Sequence, residues 1–338
     1  MTQTAGNEIR QVNPTQITRP AQSRIRRMAA SFWMNYMFFS LNHFPWWVRA
    51  SKYVYFWFAF RFSHQIRQST LANAARILGP DSTPKQRLAL AKRTFSNFYD
   101  FIYDVGICAR LDVKQLRQRV DAVEGRQHYL DARKAGKGAI VVSAHMGSFE
   151  TAVSALLDIE KRIHLVYSRN AELSRFEQVR AILRKRLGVV EHALDNGWNM
   201  WVELRDALRA DECVVLQADR VLPGQKGLKV PLLHGHILLP TGAVKLALAS
   251  GAPILPTFCI RQPNGHVRLF TEPAIYPSED DGGAAAMNSI AASLAKFVKA
   301  YPEQWLLLRP AFCEDTRSDD QPAPQQSSPA STRPAPGQ

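Results

Sequence analysis

Apolar positions follow three successive patterns along the 338-residue chain. Residues 23–67 hold a dense run of aromatic side chains, and residues 69–120 place apolar side chains three and four apart. From about residue 121, short apolar runs alternate with amphipathic stretches. Spacing of three and four is typical of helices, whereas short apolar runs between turn residues are typical of buried strands. The pattern predicts a helical first part followed by an α/β domain, with a central, mostly parallel sheet flanked by helices.

The strands of this α/β domain are predicted from four apolar stretches. Each of the first three ends in polar residues and is followed by an amphipathic helix, as expected for parallel strands joined by crossovers. The fourth contains Asn264-Gly265, a dipeptide typical of a tight turn, and is predicted to form two strands of a hairpin. The stretches are GKGAIVVSAH (136–145), RIHLVYSR (162–169), ECVVLQAD (212–219) and PILPTFCIRQPNGHVRLFTEP (253–273).

The aromatic run has the composition of a membrane interface. Residues 23–67 contain 15 of the 33 aromatic residues, and residues 28–48 include no Asp, Glu, Lys or Arg. Tryptophan and tyrosine next to arginine and lysine are typical of segments at the membrane surface. Asn35, Asn42 and Pro45 interrupt the apolar run, which favours an interfacial helical hairpin. A single membrane span and an aromatic-rich pair of soluble helices are the alternatives.

These patterns divide the chain into four parts. Residues 1–22 are polar, lack the features of a secretory signal and are predicted to be a flexible leader. Residues 23–120 are predicted to form a helical, membrane-associating region, and residues 121–313 are predicted to form the α/β domain. Residues 314–338 have no aromatic and no aliphatic residue larger than alanine, so a disordered tail is predicted.

The net charge of +14 suits a polyanionic partner such as nucleic acid, an anionic membrane or an acidic carrier protein. Nucleic acid is disfavoured because the aromatic residues precede the strands and no known nucleic-acid motif occurs. The four cysteines form no CxxC pair, which argues against a zinc site or a disulfide framework. No metal site is therefore expected in this protein.

The candidate chemistry lies in the sequence SAHMGSFE, residues 143–150. His145 follows an apolar strand just before a helix, and sites in open α/β sheets lie beyond the carboxyl ends of strands. Glu150 is predicted to orient the His145 imidazole, which then takes a proton from an acceptor hydroxyl. Gly147 allows a close approach to the backbone, and Ser148 is predicted to cap the helix beside N–H groups that face an oxyanion. A surface histidine near a helix start is the simpler alternative.

The His-x4-Glu motif after a hydrophobic strand resembles the lysophospholipid acyltransferase superfamily, and more closely its late lipid A acyltransferases. That branch carries Glu where glycerol-phosphate acyltransferases carry Asp, and this chain lacks the Phe-Pro-Glu-Gly block of the glycerolipid enzymes. Five further blocks appear in the family's order: VYSR (166–169), LQADR (216–220), KVPLL (229–233), PTGAVKLALASGAPILP (240–256) and YPEQWLLLRP (301–310).

The resemblance implies roles for particular residues. His145 is the base and Glu150 its partner, while Arg169 and Asp219 are further site residues. Arg169 is predicted to bind an anionic substrate group or to stabilise the oxyanion. Thr241 and Gly242, at a predicted helix start, are candidates for phosphate binding, with simple helix capping as the alternative. The chain departs from the family in VPLLHGH, in GAVK and in the single acidic residue of QAD. These departures leave the identity of the acceptor undecided.

The resemblance also implies a membrane-associated O-acyltransferase at the cytoplasmic face of the inner membrane. It moves a fatty acyl chain from an acyl thioester, on acyl carrier protein or coenzyme A, to a hydroxyl of a lipid A-like glycolipid. No cofactor is expected beyond that co-substrate. The expected partners are anionic membrane lipids, the lipid acceptor and an acidic acyl carrier protein. A glycerolipid acyltransferase and a non-catalytic scaffold are the alternatives.

Overall fold

The computed structural model describes residues 24–168, 174–222 and 225–316. The predicted leader and Arg169 therefore lie outside the described residues, as does the predicted tail from residue 317 onward. Residues 314–316 belong to the folded body, because Glu314 pairs with His236 and Asp315 pairs with Arg76. The predicted tail boundary at 314 is thus slightly early.

The first part of the chain is helical, as its spacing predicts. Pro45 occupies the first turn of the second helix, where its missing N–H costs nothing. Thr83 and Gln86 form a reciprocal capping box at the start of the fourth helix. The helices are α1 (Arg24–His43), α2 (Pro45–Phe62), α3 (His64–Leu78) and α4 (Pro84–Cys108), followed by the short α5 (Val113–Gln118).

A seven-stranded sheet forms the centre of the α/β part. Its strands are β1 (Val120–Glu124), β2 (Ala139–Ser143), β3 (Ile163–Tyr167), β4 (Val190–Ala193), β5 (Cys213–Gln217), β8 (Ile254–Arg261) and β9 (Val267–Thr271). Their order in the sheet is β1-β9-β8-β2-β5-β3-β4. All neighbours are parallel except β8 and β9, which form the predicted antiparallel hairpin. A separate hairpin consists of β6 (Gly227–Leu232) and β7 (Gly235–Pro240).

Helices cover both faces of this sheet. They are α6 (Arg126–Arg133), α7 (Phe149–Ala152), α8 (Ser174–Arg186), α9 (Trp198–Arg209), α10 (Gly242–Ser250) and α11 (Ala284–Ala300). The α/β class and the mostly parallel sheet are therefore confirmed. Sequence patterns missed β1 and β4, because these edge strands are short and carry charged side chains. They also missed the β6–β7 hairpin.

The helical part and the sheet share one hydrophobic cluster. Met37 and Leu41 of α1 belong to the same buried cluster as Val141 of β2 and Val215 of β5. A second cluster lies among β2, β5, the β6–β7 hairpin and α9 to α11. The sheet is thus buried on both faces, as parallel sheets usually are. Among the helices that the structure describes, none is both long and apolar enough to cross a membrane.

Candidate active site

The site begins where two neighbouring parallel strands end together. Strands β2 and β5 pair in register, with Ser143 opposite Gln217, and the Ala218 amide donates to the Ser143 carbonyl at 2.9 Å. His145 and Asp219 each lie two residues beyond these paired ends. The pairing therefore brings together two side chains that are 74 positions apart in the chain.

Asp219 is the hydrogen-bond partner of His145. Its Oδ1 lies 2.7 Å from the His145 Nδ1, and its Oδ2 accepts the His145 backbone N–H at 3.0 Å. The Trp305 indole N–H also donates to Oδ2, at 3.0 Å. The Asp219 side chain is only 1% exposed, whereas that of His145 is 18% exposed and reaches the cleft. The carboxylate is thus held on both oxygens, while the imidazole remains accessible to substrate.

The hydrogen bonds fix which imidazole nitrogen can act as a base. The Arg220 Nη2 lies 2.9 Å from the His145 Nε2. A guanidinium group only donates hydrogen bonds, so Nε2 must accept and the ring proton must be on Nδ1, facing Asp219. This tautomer leaves the Nε2 lone pair directed into the cleft, as a general base requires.

The electrostatic surroundings keep this imidazole neutral. Burial lowers the pKa of His145, and the nearby positive charge of Arg220 lowers it further, against the opposing effect of Asp219. Burial alone would raise the pKa of Asp219, but the charge that the His145 ring carries when protonated, together with their hydrogen bond, outweighs burial and lowers that pKa. At neutral pH the pair is therefore a neutral imidazole beside an ionised carboxylate.

Glu150 does not contact His145 as predicted. Its buried carboxylate accepts from the Arg180 Nε at 2.5 Å and from the Arg184 Nη2 at 3.1 Å, both on α8. Burial would raise the pKa of Glu150, but the two arginines outweigh that effect and lower it to about 2. The predicted His145–Glu150 pairing is wrong in geometry, because the chain turns at Gly147 and starts α7 at Phe149, which directs Glu150 towards α8. Glu150 instead anchors the arginines that line the cleft.

Gly147 lies in a tight backbone environment, as predicted from its being a glycine. Its φ is +56°, and a Cβ there would lie 2.4 Å from the Cys259 carbonyl oxygen, so any side chain would clash with β8. Its N–H donates to the Gln304 carbonyl at 3.1 Å. The Gly147 amide, one of the N–H groups in the predicted oxyanion region, therefore already has a partner.

Ser148 occupies the helix N-cap without making a capping bond, contrary to prediction. Its hydroxyl donates instead to the buried Asp104 of α4, which also accepts from Arg261 at 2.6 Å. Ser148 is 2% exposed. Ser148 therefore fastens the loop that follows His145 to α4 and does not face the cleft.

A segment near the end of the folded chain fastens the His145 loop. The Leu306 amide donates to the His145 carbonyl at 2.8 Å, and Trp305 forms an antiparallel bridge with Met146. The Gln304 side chain bonds to both backbone groups of Arg261 on β8. Sequence reasoning gave these residues no role, although the YPEQW block that contains them was recognisable.

The remaining residues predicted to bind substrate are Thr241, Gly242 and Arg169. The Thr241 N–H donates to the Lys226 carbonyl at 3.2 Å, so it does not offer a free amide to a phosphate, and its hydroxyl makes no capping bond. Gly242 lines the cleft, and a Cβ there would lie 2.5 Å from the Trp201 ring, so its small size serves helix packing. Arg169 lies outside the described residues.

A cleft of about 1720 Å³ is lined in part by His145, Asp219 and Arg220. Its lining is mixed: aromatic and aliphatic side chains such as Phe149 and Leu238 alternate with charged ones. Within residues 24–168, 174–222 and 225–316, no group of His, Cys, Asp and Glu side chains is arranged to hold a metal ion. The arrangement suits general base chemistry on a bound organic ligand that is partly apolar.

Comparison with known proteins agrees with this chemistry. The sequence profile described as bacterial lipid A biosynthesis acyltransferase matches residues 19–313. The phosphatidylinositol mannoside acyltransferase of Mycobacterium tuberculosis (strain ATCC 25618 / H37Rv) is 27% identical over 250 residues, which cover 72% of this chain and 76% of that protein. The enzyme of the same name from Mycolicibacterium smegmatis is 24% identical over 249 residues, covering 72% and 78%. The chain therefore belongs to the bacterial lipid A biosynthesis acyltransferase family and is an acyltransferase.

Proposed function

We propose that this protein moves a fatty acyl chain from an acyl thioester to a sugar hydroxyl of a glycolipid. The observation that carries the proposal is the His145–Asp219 pair, with its basic nitrogen directed into a large, partly apolar cleft. The description of the family names lipid A, and the names of the mycobacterial relatives refer to phosphatidylinositol mannosides. Both names denote sugar-bearing lipids, which supports a glycolipid acceptor over a glycerolipid one.

In the proposed reaction, His145 Nε2 takes the proton of the acceptor hydroxyl as its oxygen attacks the thioester carbon. Asp219 stabilises the imidazolium that forms, because its ionised carboxylate faces Nδ1–H. The tetrahedral intermediate then collapses, the carbon–sulfur bond breaks, and the imidazolium returns its proton to the leaving thiolate. General base catalysis of this kind contributes about 100- to 10,000-fold in rate. The donor is acyl carrier protein or coenzyme A, and the net charge of +14 favours the acidic carrier protein.

The exposed aromatic side chains of α1 and α2 support docking on the inner membrane, at its cytoplasmic face. These helices bury one face against the protein, through residues such as Met37 and Val48. Their opposite faces expose large apolar side chains, and the exposed Arg49 and Arg61 lie among them. Apolar rings with neighbouring basic groups suit the boundary between lipid tails and anionic headgroups. The exposed side chains include Phe32, Phe39, Trp46, Tyr53, Trp57, Phe58 and Phe62.

This aromatic face adjoins the cleft. Phe62 ends α2, and His64, two residues later, lines the cleft together with Gln65 and Gln68 of α3. A protein resting on its aromatic face would thus present the cleft near the lipid surface. The acceptor hydroxyl and the acyl chain then reach His145 without crossing water.

The function is tested by incubating the purified protein with extracted glycolipids, glycerolipids and a panel of acyl carrier protein and coenzyme A donors. We expect a glycolipid ester, identified by mass spectrometry, whose formation is lost in His145→Ala. Acylation confined to glycerolipids would refute the acceptor class, and equal product from His145→Ala would refute the mechanism.

Membrane docking is tested by co-sedimentation with anionic vesicles. Deleting α1 and α2 would uncover core residues, so Trp57→Ala, Phe58→Ala and Phe62→Ala are combined in the full chain. We expect weaker vesicle binding, with an unchanged unfolding midpoint. Trp198→Ala is the control, because Trp198 is 78% exposed and lies on α9, which is not part of the aromatic face of α1 and α2. Equal loss of binding in the control and the triple variant would contradict docking through this face.

A further inference from the structure

The cleft continues from the active site along one face of the sheet. Side chains alternate between the two faces of a strand, so Val141 and Ser143 of β2 share a face. Val215 of β5 lies opposite both Val141 and Leu165 of β3. Val141, Val215 and Leu165 all line the cleft. The strand register therefore forms an apolar row across three strands, on the side of Ser143 that leads towards the amino ends of the strands.

This face of the sheet retains space that the other face lacks. Val141 and Val215 keep 5% and 8% of their surface exposed, although both lie in the middle of central strands. Ile140 and Val214, their neighbours on the other face, have no exposed surface. Because packed interiors leave few voids larger than a water molecule, the retained exposure marks a channel, which we call the apolar arm. Apolar side chains of the same hydrophobic cluster complete its lining: Phe149, Val153, Leu156, Ile159 and Phe176.

Tyr129 of α6 lies at the far end of the apolar arm. It lines the cleft, and its hydroxyl is close to the thiol of Cys213, the first residue of β5. Cys213 pairs with Ala139, the first residue of β2. His145 and Asp219 follow the opposite ends of these two strands. The apolar arm therefore runs from the carboxyl ends to the amino ends of β2 and β5.

The depth of the apolar arm matches one fatty acyl chain. Strands rise about 3.3 Å per residue, so Ser143 and Ala139 are about 13 Å apart, and His145 extends the path to about 20 Å. One layer of lipid chains, half of a bilayer's hydrocarbon core, is about 15 Å thick. An extended chain whose thioester carbon lies at His145 therefore reaches the region of Tyr129.

A buried polar cluster closes the apolar arm. The Tyr129 hydroxyl donates to the Glu160 Oε1 at 2.5 Å, and Arg133 donates to both Glu160 oxygens, at 2.7 and 3.1 Å. Burial raises the pKa of Tyr129, so its hydroxyl keeps its proton and remains a donor. A longer chain would have to displace the Tyr129 ring and deprive a buried carboxylate of one donor, which is unfavourable. The methyl end of a chain therefore meets a fixed boundary here.

We propose that Tyr129 sets the maximum length of the acyl chain that this enzyme transfers, as the end wall of the apolar arm. The inference rests on the proposed function, and the occupant is the acyl chain of the donor. A single closed arm suits one chain on a soluble carrier, because that chain must be shielded from water up to its thioester. A glycolipid acceptor is held in the membrane by its own chains. Tyr129 is therefore a specificity-determining residue of the proposed reaction.

The test measures kcat/KM for saturated acyl donors, each two carbons longer than the last, on acyl carrier protein and on coenzyme A. In the wild type, kcat/KM should fall sharply beyond one chain length. Tyr129→Ala should move that limit to longer donors, because removing the ring extends the apolar arm. Burying one CH₂ group contributes about fourfold in binding, so the first donor beyond the wild-type limit should gain about 10- to 20-fold relative to shorter donors.

Leu165→Phe provides a second variant with the opposite effect. Leu165 is half-buried in the middle of the apolar arm, so a larger ring there should shift the preference to shorter donors. This variant also decides the question if Tyr129→Ala does not fold.

Two controls separate chain length from loss of stability. Tyr129→Phe keeps the ring and removes only the hydroxyl, so the length limit should stay unchanged even if the unfolding midpoint falls. Phe297→Ala is the matched control for removing a buried ring. Phe297 of α11 belongs to the cluster on the other face of the sheet and does not line the cleft. Phe297→Ala should therefore leave the chain-length profile unchanged.

Fatty-acid binding distinguishes this inference from the proposed function. Free fatty acids of the same series should raise the unfolding midpoint up to the same length limit, and Tyr129→Ala should move that limit without any acyl transfer. Acyl transfer with an unchanged donor limit in both Tyr129→Ala and Leu165→Phe would overturn the inference alone. A limit that follows the chains of the acceptor instead of the donor would also overturn it. No transfer from any donor, with the fatty-acid limit moving as expected, would overturn the proposed function and retain the apolar arm as an acyl-chain site.

Discussion

Replacing Asp219 with asparagine exchanges one carboxylate oxygen for an amide nitrogen of nearly the same size. In the wild type, two N–H donors converge on Oδ2, one from the His145 backbone and one from Trp305. The amide NH₂ of an asparagine cannot face two donors, so its oxygen must take that place. The NH₂ group then faces the His145 Nδ1, which has to become an acceptor. The ring proton moves to Nε2, and the basic lone pair in the cleft is lost.

The fall in kcat should be large, because the substitution reverses the His145 tautomer and leaves the fold unchanged. A comparable Asp-to-Asn change in a serine protease triad lowers kcat by about 10,000-fold. Here the Nε2–H would also face the Arg220 guanidinium, which is a second donor. We therefore expect kcat of Asp219→Asn to fall about 1,000- to 10,000-fold, or roughly 4 to 5.5 kcal/mol in activation free energy.

The assay is acyl transfer at saturating donor and acceptor, together with nitrogen-15 NMR of the histidine rings. The NMR spectrum should show the His145 proton on Nδ1 in the wild type and on Nε2 in Asp219→Asn. Thermal unfolding provides the control for folding. A variant that keeps its rate within a few-fold, or keeps the proton on Nδ1, would refute the assignment of Asp219 as the partner of His145.

Three further changes test other parts of the site. Because burial and Arg220 lower the pKa of His145, kcat/KM should rise with pH through a value below 6.5 and stay level near pH 7; a rise centred above pH 7 would contradict a neutral base. Gly147→Ala should lower the free energy of unfolding by more than about 2 kcal/mol and cut activity, since a side chain would meet the Cys259 carbonyl at a positive φ; an unchanged urea midpoint would contradict this. Glu150→Gln should destabilise the protein by about 1.5 to 3 kcal/mol at pH 7, because it removes the buried carboxylate that Arg180 and Arg184 share and leaves each arginine one carboxylate partner. Since the pKa of Glu150 is about 2, the stabilisation is present above its ordinary pKa of 4.5 and is lost as pH falls towards 2; a difference from wild type that does not narrow on acidification would contradict the ion pair.

The sequence by itself determined the local features of this protein. The alternation of apolar runs with amphipathic stretches predicted the α/β class, and Asn264-Gly265 predicted the β8–β9 hairpin, because both depend on residues close together in the chain. The ordered motif blocks also identified the family, and His145 was singled out by its place at the end of an apolar strand. Arg169 and the acyl donor stay predictions.

Only the tertiary structure decided which residues meet. Strands β2 and β5 are neighbours although β3 and β4 lie between them in the sequence, and this pairing places Asp219 beside His145. The motif spacing favoured Glu150, but the turn at Gly147 directs that carboxylate to the arginines of α8. Trp305 reaches Asp219 across 86 positions of sequence. Strand order and side-chain direction result from packing across the whole chain, and residue spacing within a motif records only the local part of that packing.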